Sequence, residues 1–361
     1  MIRIAFYGSS LLSSYWNGAA TYYRGLLSAL APLGYDVTFY EPDAYERQSH
    51  RDIEPPPWAR VRVYAATEGA LREVLAEASE ADIVVKASGV GVFDTELLGG
   101  AVECARPGAL RVFWDVDAPA TLAELGGDAD HPLRAALRRL DFVLTYGGGE
   151  PVVNGYRGFG AKACVPIYNA LDPSTHFPVV PDRSLAADLS FLANRMPDRE
   201  KRAEEFFFRP ATMLPDKRFL LGGNGWDDKP AGPNVRRIGH VGTDRHNAFN
   251  VSARAVLNVA RDSMADLGFS PATRVFEAAG AGACLITDAW EGLELFLSPG
   301  TEVLVARDGR DVADHVASLT AETARNIGAA ARARVLREHT YDRRARQVDR
   351  LFRDALAARR G

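Results

Sequence analysis

Short apolar runs alternate with amphipathic stretches along the whole chain, and this alternation predicts the secondary structure. Runs rich in β-branched and aromatic residues predict strands, and apolar positions three and four apart predict helices between them. Such a strand–helix rhythm is typical of a parallel sheet covered by helices. In the first half it predicts strands at Ile2–Tyr7, Val37–Tyr40, Ile83–Lys86, Leu110–Trp114, Phe142–Thr145 and Cys164–Ile167, and helices at Thr21–Leu33, Ala70–Ala78 and Glu150–Phe159.

The rhythm stops at Tyr168–Pro181, which holds three prolines, and then starts again. We therefore expect an α/β chain of two Rossmann-like domains that face each other across a cleft. The predicted parts are residues 1–170, a linker at 171–181, residues 182–340, and a C-terminal helix at 341–361 that could pack back on the first domain. Strands are predicted in the second half at Asp188–Leu192, Phe219–Leu221, Val235–Ile238, Ala255–Val259, Cys284–Thr287 and Val303–Ala306.

Composition excludes some classes of function. The chain has 361 residues, of which 47% are hydrophobic and 25% charged, as in ordinary globular proteins. Its formal net charge is −4, whereas a nucleic-acid-binding protein usually has a basic excess. We therefore expect no nucleic-acid partner. The arginine-rich C-terminal helix also carries interleaved aspartates, which favours a solvated face over a membrane-surface helix.

Cysteine usage and the N-terminal sequence favour a cytoplasmic protein. Cys104, Cys164 and Cys284 are widely spaced among apolar residues, a pattern that indicates neither a disulfide framework nor a zinc site. The opening sequence is interrupted early by Gly8 and is too short for a signal peptide. No apolar run is long enough to predict a membrane span. Only five of the 43 basic residues are lysines, which is typical of a GC-rich bacterial genome.

The stretch Ser270–Thr287 is the most informative about chemistry. Ser270 followed by Pro271 predicts a helix that begins there and runs to about Gly280. Thr273 and Arg274 then lie near the helix start, where the dipole disfavours a cation unless an anion binds beside it. Glu277 shares the face of Arg274 and could accept hydrogen bonds from the paired hydroxyls of a ribose. The alternative is an exposed Arg274–Glu277 pair that only closes a helix turn.

Further motifs accompany this helix along nearly the whole chain. In the second half they are Gly222-Gly-Asn-Gly-Trp226, Asn234-Val235, Gly239-His-Val241, Leu257-Asn-Val259 and Gly292 with Pro299-Gly-Thr-Glu302. In the first half they are Trp16-Asn-Gly18, Thr21, Arg24, Trp114-Asp-Val-Asp117 with Pro119 and Thr121, and Leu171-Asp-Pro173. Together with Arg274–Asp288, these motifs resemble GT-B glycosyltransferases, specifically the CgeB-like (spore-maturation-type) branch.

The resemblance implies that the glutamate at position 277 binds the ribose of a nucleotide diphosphate sugar. The chain departs from the family pattern at one position. Many retaining GT-B enzymes carry a second glutamate eight residues before the one that binds the ribose. Phe269 stands there in this chain. A mechanism that depends on that first glutamate therefore cannot be transferred, and the stereochemical outcome stays open.

Besides Ser270, Thr273, Arg274 and Glu277 at this helix, three further residues are candidates for donor binding. Arg199 follows a predicted strand, with Asp198 as a candidate helix cap, where related enzymes place a base that binds the diphosphate. A solvated arginine is the alternative. Gly225 and His240 follow the next two predicted strands, and a loop at Gly239-His240 could hold the nucleotide base through its backbone.

The candidates for the acceptor side follow strands of the first half. Asn17 and Gly18 belong to a long loop of small residues after the first strand, which is either functional or an ordinary surface loop. Asp115 and Asp117 could bind a metal, act as a general base, or cap the helix that starts near Pro119. The doubled α/β pattern argues against the metal. We expect Asp117, with Asp115 or His131 as alternatives, to deprotonate an acceptor hydroxyl.

The resulting prediction is a metal-independent, hexosyltransferase-type glycosyltransferase with no cofactor besides its nucleotide diphosphate sugar. Its second domain would bind the donor and its first the acceptor, whose identity the sequence leaves open, as it does the oligomeric state. The alternatives are a nucleotide-sugar epimerase on the same fold and a non-catalytic protein that binds sugar nucleotides. A NAD-dependent dehydrogenase is excluded, since no Gly-x-Gly-x-x-Gly follows a predicted strand.

Overall fold

The structure is a computed structural model that describes residues 1–15 and 17–359. Trp16, part of one of the motifs above, lies outside these residues. The chain divides into two compact units. The first contains residues 1–168 and the chain from Tyr341 on, and the second contains Asn169–Thr340. Each unit has a parallel sheet with alternating helices, so the predicted α/β class with two Rossmann-like domains is confirmed.

The first unit contains a seven-stranded sheet in the order β3-β2-β1-β4-β5-β6-β7, with every neighbouring pair parallel. Ile4–Tyr7 are all buried, because helices cover both faces of a central parallel strand. The strands are β1 (Ile2–Tyr7), β2 (Tyr35–Asp43), β3 (Arg60–Ala65), β4 (Ile83–Ala87), β5 (Leu110–Asp115), β6 (Phe142–Thr145) and β7 (Cys164–Pro166).

Six helices follow these strands within the first 168 residues. They are α1 (Ala19–Leu30), α2 (Glu68–Glu77), α3 (Asp94–Cys104), α4 (Ala118–Gly127), α5 (Pro132–Leu137) and α6 (Gly149–Gly158). Short 3₁₀ turns lie at Ala31–Leu33, Arg47–His50 and Ala78–Glu80. The three predicted helices of this half therefore exist, with ends shifted by one to three residues.

The second unit contains a six-stranded parallel sheet in the order β10-β9-β8-β11-β12-β13. Its core includes Phe191, Phe207 and Phe219, and the Phe207 ring centroid lies 5.5 and 5.7 Å from those of Phe191 and Phe219. The strands are β8 (Ala187–Leu192), β9 (Phe219–Gly222), β10 (Val235–Arg237), β11 (Ala253–Asn258), β12 (Leu285–Asp288) and β13 (Leu304–Ala306).

The helices of the second unit alternate with these strands. They are α7 (Pro197–Ala203), α8 (Arg209–Met213), α9 (His246–Ser252), α10 (Asp262–Leu267), α11 (Thr273–Ala281), α12 (Gly309–Ser318) and α13 (Ala321–Glu338). A π-helical turn at Glu204–Phe208 joins α7 to α8, and 3₁₀ turns lie at Arg183–Leu185, Thr243–Arg245 and Leu293–Leu295. The predicted linker at 171–181 has no helix or strand, although Leu171 forms an isolated bridge with Thr340.

The last helix, α14 (Tyr341–Ala358), belongs to the first unit although it follows the second in the chain. Tyr341 packs on α1 at Gly25, where an added Cβ would lie 2.2 Å from the Tyr341 ring. Phe352 lies 6.4 Å from the rings of both Tyr35 and Phe142. Within residues 1–15 and 17–359, no helix has the length and apolar character that a membrane crossing demands.

Candidate active site

The candidate site of the second unit is built around the start of α11. Helix α11 begins at Thr273 after the extended N-cap residue Ala272. The prediction that Ser270 caps this helix is therefore wrong. Its hydroxyl donates backwards to the Gly268 carbonyl oxygen at 3.0 Å, because Gly268 and Phe269 have φ values of +73° and +50° and turn the chain before the helix. Arg274 is the second helical residue, so its predicted first-turn position is confirmed.

Arg274 and Glu277 form a pair on one face of α11. The Arg274 Nη1 lies 3.6 Å from the Glu277 Oε2, and the two side chains are only 15% and 10% exposed. Arg274 also donates to the Asn250 Oδ1 at 3.4 Å. Burial by itself would raise the pKa of Glu277, but Arg274 and two nearby histidines outweigh it and lower the pKa below its ordinary value. The hypothesis of an exposed pair is therefore wrong, and Glu277 is an ionised, buried acceptor.

The two histidines near Glu277 are His176 and His246, and the sequence did not indicate either. The His176 Nε2 lies 3.9 Å from the Glu277 Oε1, and the ring centroids of the two histidines are 6.1 Å apart. Burial, followed by the charge of Arg274, lowers the pKa of His246 to about 4. His176 falls in the segment predicted as a linker, and it is 101 positions from Glu277, so no local spacing could have revealed the contact.

Arginines gather beyond the carboxyl ends of the neighbouring strands β8, β11 and β12. Arg199 lies in α7, whose N-cap is Met196, so the prediction that Asp198 caps this helix is wrong. The Asp198 carboxylate instead accepts from the Arg261 Nε. Burial is the main cause that lowers the pKa of Arg199; the charge of Asp198 opposes it, and the positive charges of Arg261 and Arg274 add to it. These arginines therefore create a positive potential that an anion would relieve.

Asp288, at the end of β12, is the buried counterion of this region. It is 0% exposed and accepts from the Arg202 guanidinium and from the Ala260 backbone N–H at 3.2 and 3.1 Å. Because Asp288 pairs with Arg202 and Asp198 pairs with Arg261, neither carboxylate is the direct partner of Arg199 or Arg274 in these bonds. The arrangement is suited to bind a diphosphate, since arginine forks match phosphate oxygens.

The other two predicted donor-side residues lie in loops after β9 and β10. Gly225 has a φ of +86°, and its carbonyl oxygen accepts from the Arg195 Nη1 at 3.3 Å. His240 is exposed and follows Gly239, whose carbonyl oxygen accepts from the Gly223 N–H at 2.6 Å. The two loops are thus joined through their backbones, and the His240 side chain is open to solvent.

In the first unit, buried polar side chains form hydrogen bonds with the backbone of the loop after β1. Asn17 is buried, and its amide donates to the carbonyl oxygens of Ser10 and Ser13 at 2.9 and 3.1 Å. The buried Glu41 of β2 accepts the backbone N–H groups of Leu11 and Leu12 at 2.5 and 3.3 Å. Gly18 is the exposed N-cap residue of α1. Asn17 therefore fixes the loop's shape, while Gly18 offers its backbone at the surface.

The three candidates for a general base differ in their surroundings. Asp115 is 0% exposed and accepts from the Tyr156 hydroxyl, from the Asp117 N–H at 2.9 Å and from the Thr121 hydroxyl at 3.1 Å. Burial raises the pKa of Asp115, although these hydrogen bonds act in the opposite direction. His131 caps α5, since its Nδ1 accepts from the Leu133 N–H at 3.2 Å.

Asp117 is partly exposed at the N-cap position of α4, but its side chain accepts no capping bond there. Its backbone carbonyl oxygen accepts from the Thr121 N–H at 3.1 Å. Asp117 is thus a partly exposed residue whose side chain does not cap α4. The catalytic role of Asp117 stays a prediction.

The similarity to known protein structures extends over both units. Residues 199–350 match a family model described as glycosyl transferase-like, and this range includes every predicted donor-binding residue. A search of curated proteins found no match to the chain. Among solved structures, sucrose-phosphate synthase from Thermosynechococcus elongatus is 17% identical with a TM-score of 0.71, and the match covers 99% of this chain and 100% of that one.

Two further structures have similar folds. HepE of Anabaena, in complex with UDP and glucose, is 12% identical with a TM-score of 0.68, covering 98% of this chain and 100% of that one. An alpha-glucosyltransferase, in complex with UDP-glucose and DNA containing an abasic site, is 12% identical with a TM-score of 0.72, covering 97% and 99%. The chain therefore has the GT-B fold of glycosyltransferases, and its residues 199–350 carry a glycosyltransferase-like sequence.

Proposed function

We propose that this protein transfers a hexosyl group from a nucleotide diphosphate sugar to an acceptor hydroxyl, without a metal ion, as a member of the CgeB-like branch. The observation that carries the proposal is the pair formed by Arg274, which is half-buried in the first turn of α11, and the buried Glu277 on the same helix face. A cation and an ionised acceptor side by side at a helix start match a diphosphate and a ribose joined in one ligand. The pair lies within the glycosyltransferase-like region.

The diphosphate would bind to Arg274, Arg199 and the free N–H groups at the start of α11. A bound anion counteracts the burial, and the repulsion from Arg261 and Arg274, that lower the pKa of Arg199, and it offsets the unfavourable position of Arg274 at the positive helix end. The same groups would stabilise the extra negative charge that the nucleoside diphosphate gains as it leaves. Such neutralisation by fixed cations is the reason to expect transfer without a metal.

The ribose would donate its hydroxyl hydrogens to Glu277. Because the pKa of Glu277 is lowered, the carboxylate is ionised at neutral pH and can only accept hydrogen bonds. UDP is the first nucleotide to test, since HepE and the alpha-glucosyltransferase hold UDP or UDP-glucose in their structures. Gly225 and the backbone at Gly239-His240 are the proposed contacts for the base.

Asp117 is the proposed general base. It would take the proton of the acceptor hydroxyl while that oxygen bonds to the anomeric carbon of the sugar and the bond to the diphosphate breaks. The products are then the glycosylated acceptor and the nucleoside diphosphate. Asp115 would hold the Asp117 backbone through the bond at 2.9 Å rather than accept the proton itself.

Thermal unfolding with a panel of UDP-, GDP- and dTDP-sugars tests this proposal. A donor at about 100 times its dissociation constant should add about 2.7 kcal/mol to the free energy of unfolding. The stabilising donor is then followed by NMR with and without candidate acceptors. Sugar transfer that depends on an acceptor supports the proposal, and conversion of the donor by itself indicates an epimerase instead. No stabilisation by any member of the panel would contradict the donor site.

A non-catalytic protein is the second candidate, and Phe269 is the observation that favours it. The Phe269 ring packs on Gly292, so an aromatic side chain occupies the position where many retaining GT-B enzymes carry a carboxylate. Binding of a sugar nucleotide without turnover in the presence of a broad acceptor panel would support this second candidate.

A further inference from the structure

Three potential metal ligands converge beside α11. His176, His246 and Glu277 each offer one nitrogen or oxygen atom, and these atoms all lie within 4.8 Å of one another. His176 and Glu277 are buried, and His246 is partly buried. All three belong to the second unit, so their arrangement is set within one compact body.

The hydrogen bonds of His176 determine which of its ring nitrogens carries the proton. Its Nδ1 lies 3.0 Å from the Thr175 hydroxyl oxygen, and that hydroxyl already donates to the Asp172 carbonyl oxygen at 3.2 Å. With its hydrogen on that carbonyl oxygen, the Thr175 hydroxyl accepts from Nδ1–H. In the neutral ring the other nitrogen, Nε2, then presents a lone pair towards Glu277.

Acceptor atoms consequently face each other across a gap. The His176 Nε2 lone pair and the ionised Glu277 Oε1 are 3.9 Å apart. Among the residues that the structure describes, neither the buried His176 Nε2 nor the buried His246 Nδ1 has a hydrogen-bond partner. Buried polar atoms usually have partners, so a group that accepts electron pairs from all three side chains would satisfy them together.

From this geometry we propose that His176, His246 and Glu277 bind a zinc-type transition-metal ion. Two imidazoles and one carboxylate suit Zn²⁺, whereas Mg²⁺ and Ca²⁺ prefer oxygen ligands. Ligand bonds of about 2.0–2.1 Å would place the ligand atoms about 3.3 Å apart, so the 3.9 Å gap needs to close by a few tenths of an ångström per side chain, and no pair, all being within 4.8 Å, by more than about 1.5 Å in total. The Thr175 hydroxyl would be the outer partner that orients His176.

The two carboxylate oxygens of Glu277 face different partners. Oε2 faces Arg274 at 3.6 Å, and Oε1 faces His176. A bound Zn²⁺ would draw electron density from the carboxylate and occupy the space that ribose hydroxyls need. The ion would therefore inhibit donor binding. The metal site stands on these three residues alone, but its effect on the donor rests on the proposed function of Glu277.

Calorimetric titration of the EDTA-stripped, dialysed protein with Zn²⁺ tests the site, and visible absorption with Co²⁺ reports on its ligands. The parent protein should bind one ion per chain. His176→Gln and His246→Gln should each weaken binding more than about 100-fold, since loss of even an outer partner typically costs about 10–100-fold. The matched control is His50→Gln, which removes an exposed imidazole of the first unit and should leave the affinity unchanged.

Thr175→Val keeps the test decisive if a histidine variant does not fold. Thr175 is exposed, so the change should leave the fold intact while weakening Zn²⁺ binding about 10–100-fold. No binding by the parent protein would overturn the proposal. So would parent-like affinity in Thr175→Val or in both histidine variants.

The effect on the donor is measured by titrating UDP in EDTA and again with added Zn²⁺. UDP itself chelates zinc, but this loss is the same for parent and Thr175→Val, so the difference between them isolates the protein site. Thr175→Val should need about 10–100 times more Zn²⁺ for the same loss of UDP affinity. If UDP fails to bind in EDTA, the proposed function fails while the zinc site stands. If UDP binds but Zn²⁺ does not, the zinc proposal alone fails.

Discussion

Glu277→Gln is the substitution that tests the donor site most directly. Glutamine keeps the size and helix propensity of glutamate but is uncharged and presents an N–H₂ donor where one carboxylate oxygen was. Hydrogen bonds to a charged group contribute about 1.5–3 kcal/mol. If the ribose hydroxyls bind Glu277, the dissociation constant for UDP should rise about 10- to 100-fold, because each 1.4 kcal/mol is a factor of ten.

The structure also predicts a cost in stability. Arg274, which is half-buried, loses the carboxylate of the buried Glu277 3.6 Å away, although it keeps the Asn250 Oδ1 at 3.4 Å. Breaking a buried pair costs up to about 3–5 kcal/mol, and the retained bond should hold the loss below that range. Chemical denaturation measures this loss, and calorimetric titration with UDP in EDTA measures the affinity of the folded variant.

The matched control is Glu338→Gln. It makes the same chemical change in a helical pair of the same unit, since the Arg334 Nε lies 2.8 Å from the Glu338 Oε2 on α13. Glu338 also pairs with Arg337 at 2.9 Å, but its side chain is 37% exposed, so its loss should cost less than about 1 kcal/mol and leave UDP binding unchanged. If Glu277→Gln and Arg274→Ala were both destabilised but bound UDP within about twofold of the parent, the pair would be structural only.

Four further predictions concern the other candidate residues. Arg199→Ala should weaken UDP binding by about 1.5–3 kcal/mol but leave uridine binding unchanged, because only UDP carries the diphosphate; calorimetry with both ligands measures this, and equal losses would contradict a phosphate contact. Asp117→Asn should lower turnover about 10²- to 10⁴-fold with nearly unchanged UDP affinity, and full turnover in a folded variant would return Asp117 to a structural role. Sugar transfer should persist in EDTA. If EDTA abolished transfer and Mn²⁺ restored it, the result would instead support a metal at Asp115 and Asp117. Burial raises the pKa of Asp115, so as pH rises above about 3.9 the unfolded chain loses this proton before the folded protein does. The stability of the parent should therefore fall relative to that of Asp115→Asn towards neutral pH. A stability difference between the two that does not change with pH in urea unfolding would contradict this.

The strands were predictable where a continuous apolar run corresponds to a strand that is buried on both faces. β1 and β6 begin and end as the apolar runs do, because central parallel strands are covered on both faces. β3 was not predicted. It lies at the sheet edge and alternates Arg60 and Arg62 with valines, and its half-exposed side chains dilute the apolar signal.

The donor-side helix shows what local sequence cannot determine. Its existence and the position of Arg274 followed from the pattern, but its start was placed at Ser270 because a Ser-Pro pair is typical of a helix cap. The positive φ values of Gly268 and Phe269 depend on contacts with Glu291 and Gly292, which propensity does not encode. The two histidines at Glu277 come from distant segments and required the fold.

The return of α14 to the first unit has a consequence for how the protein is made. The ribosome must synthesise all of Asn169–Thr340 before Tyr341 and Phe352 can reach their places beside α1 and the sheet. At about 5–20 residues per second this delay lasts roughly 10–35 s. During it the nascent first unit exposes the apolar surfaces at Gly25 and Tyr35 that α14 later covers, and the second unit completes its sequence before α14 is synthesised. The first half of the chain is thus the part that most needs chaperone protection, and it should finish folding last.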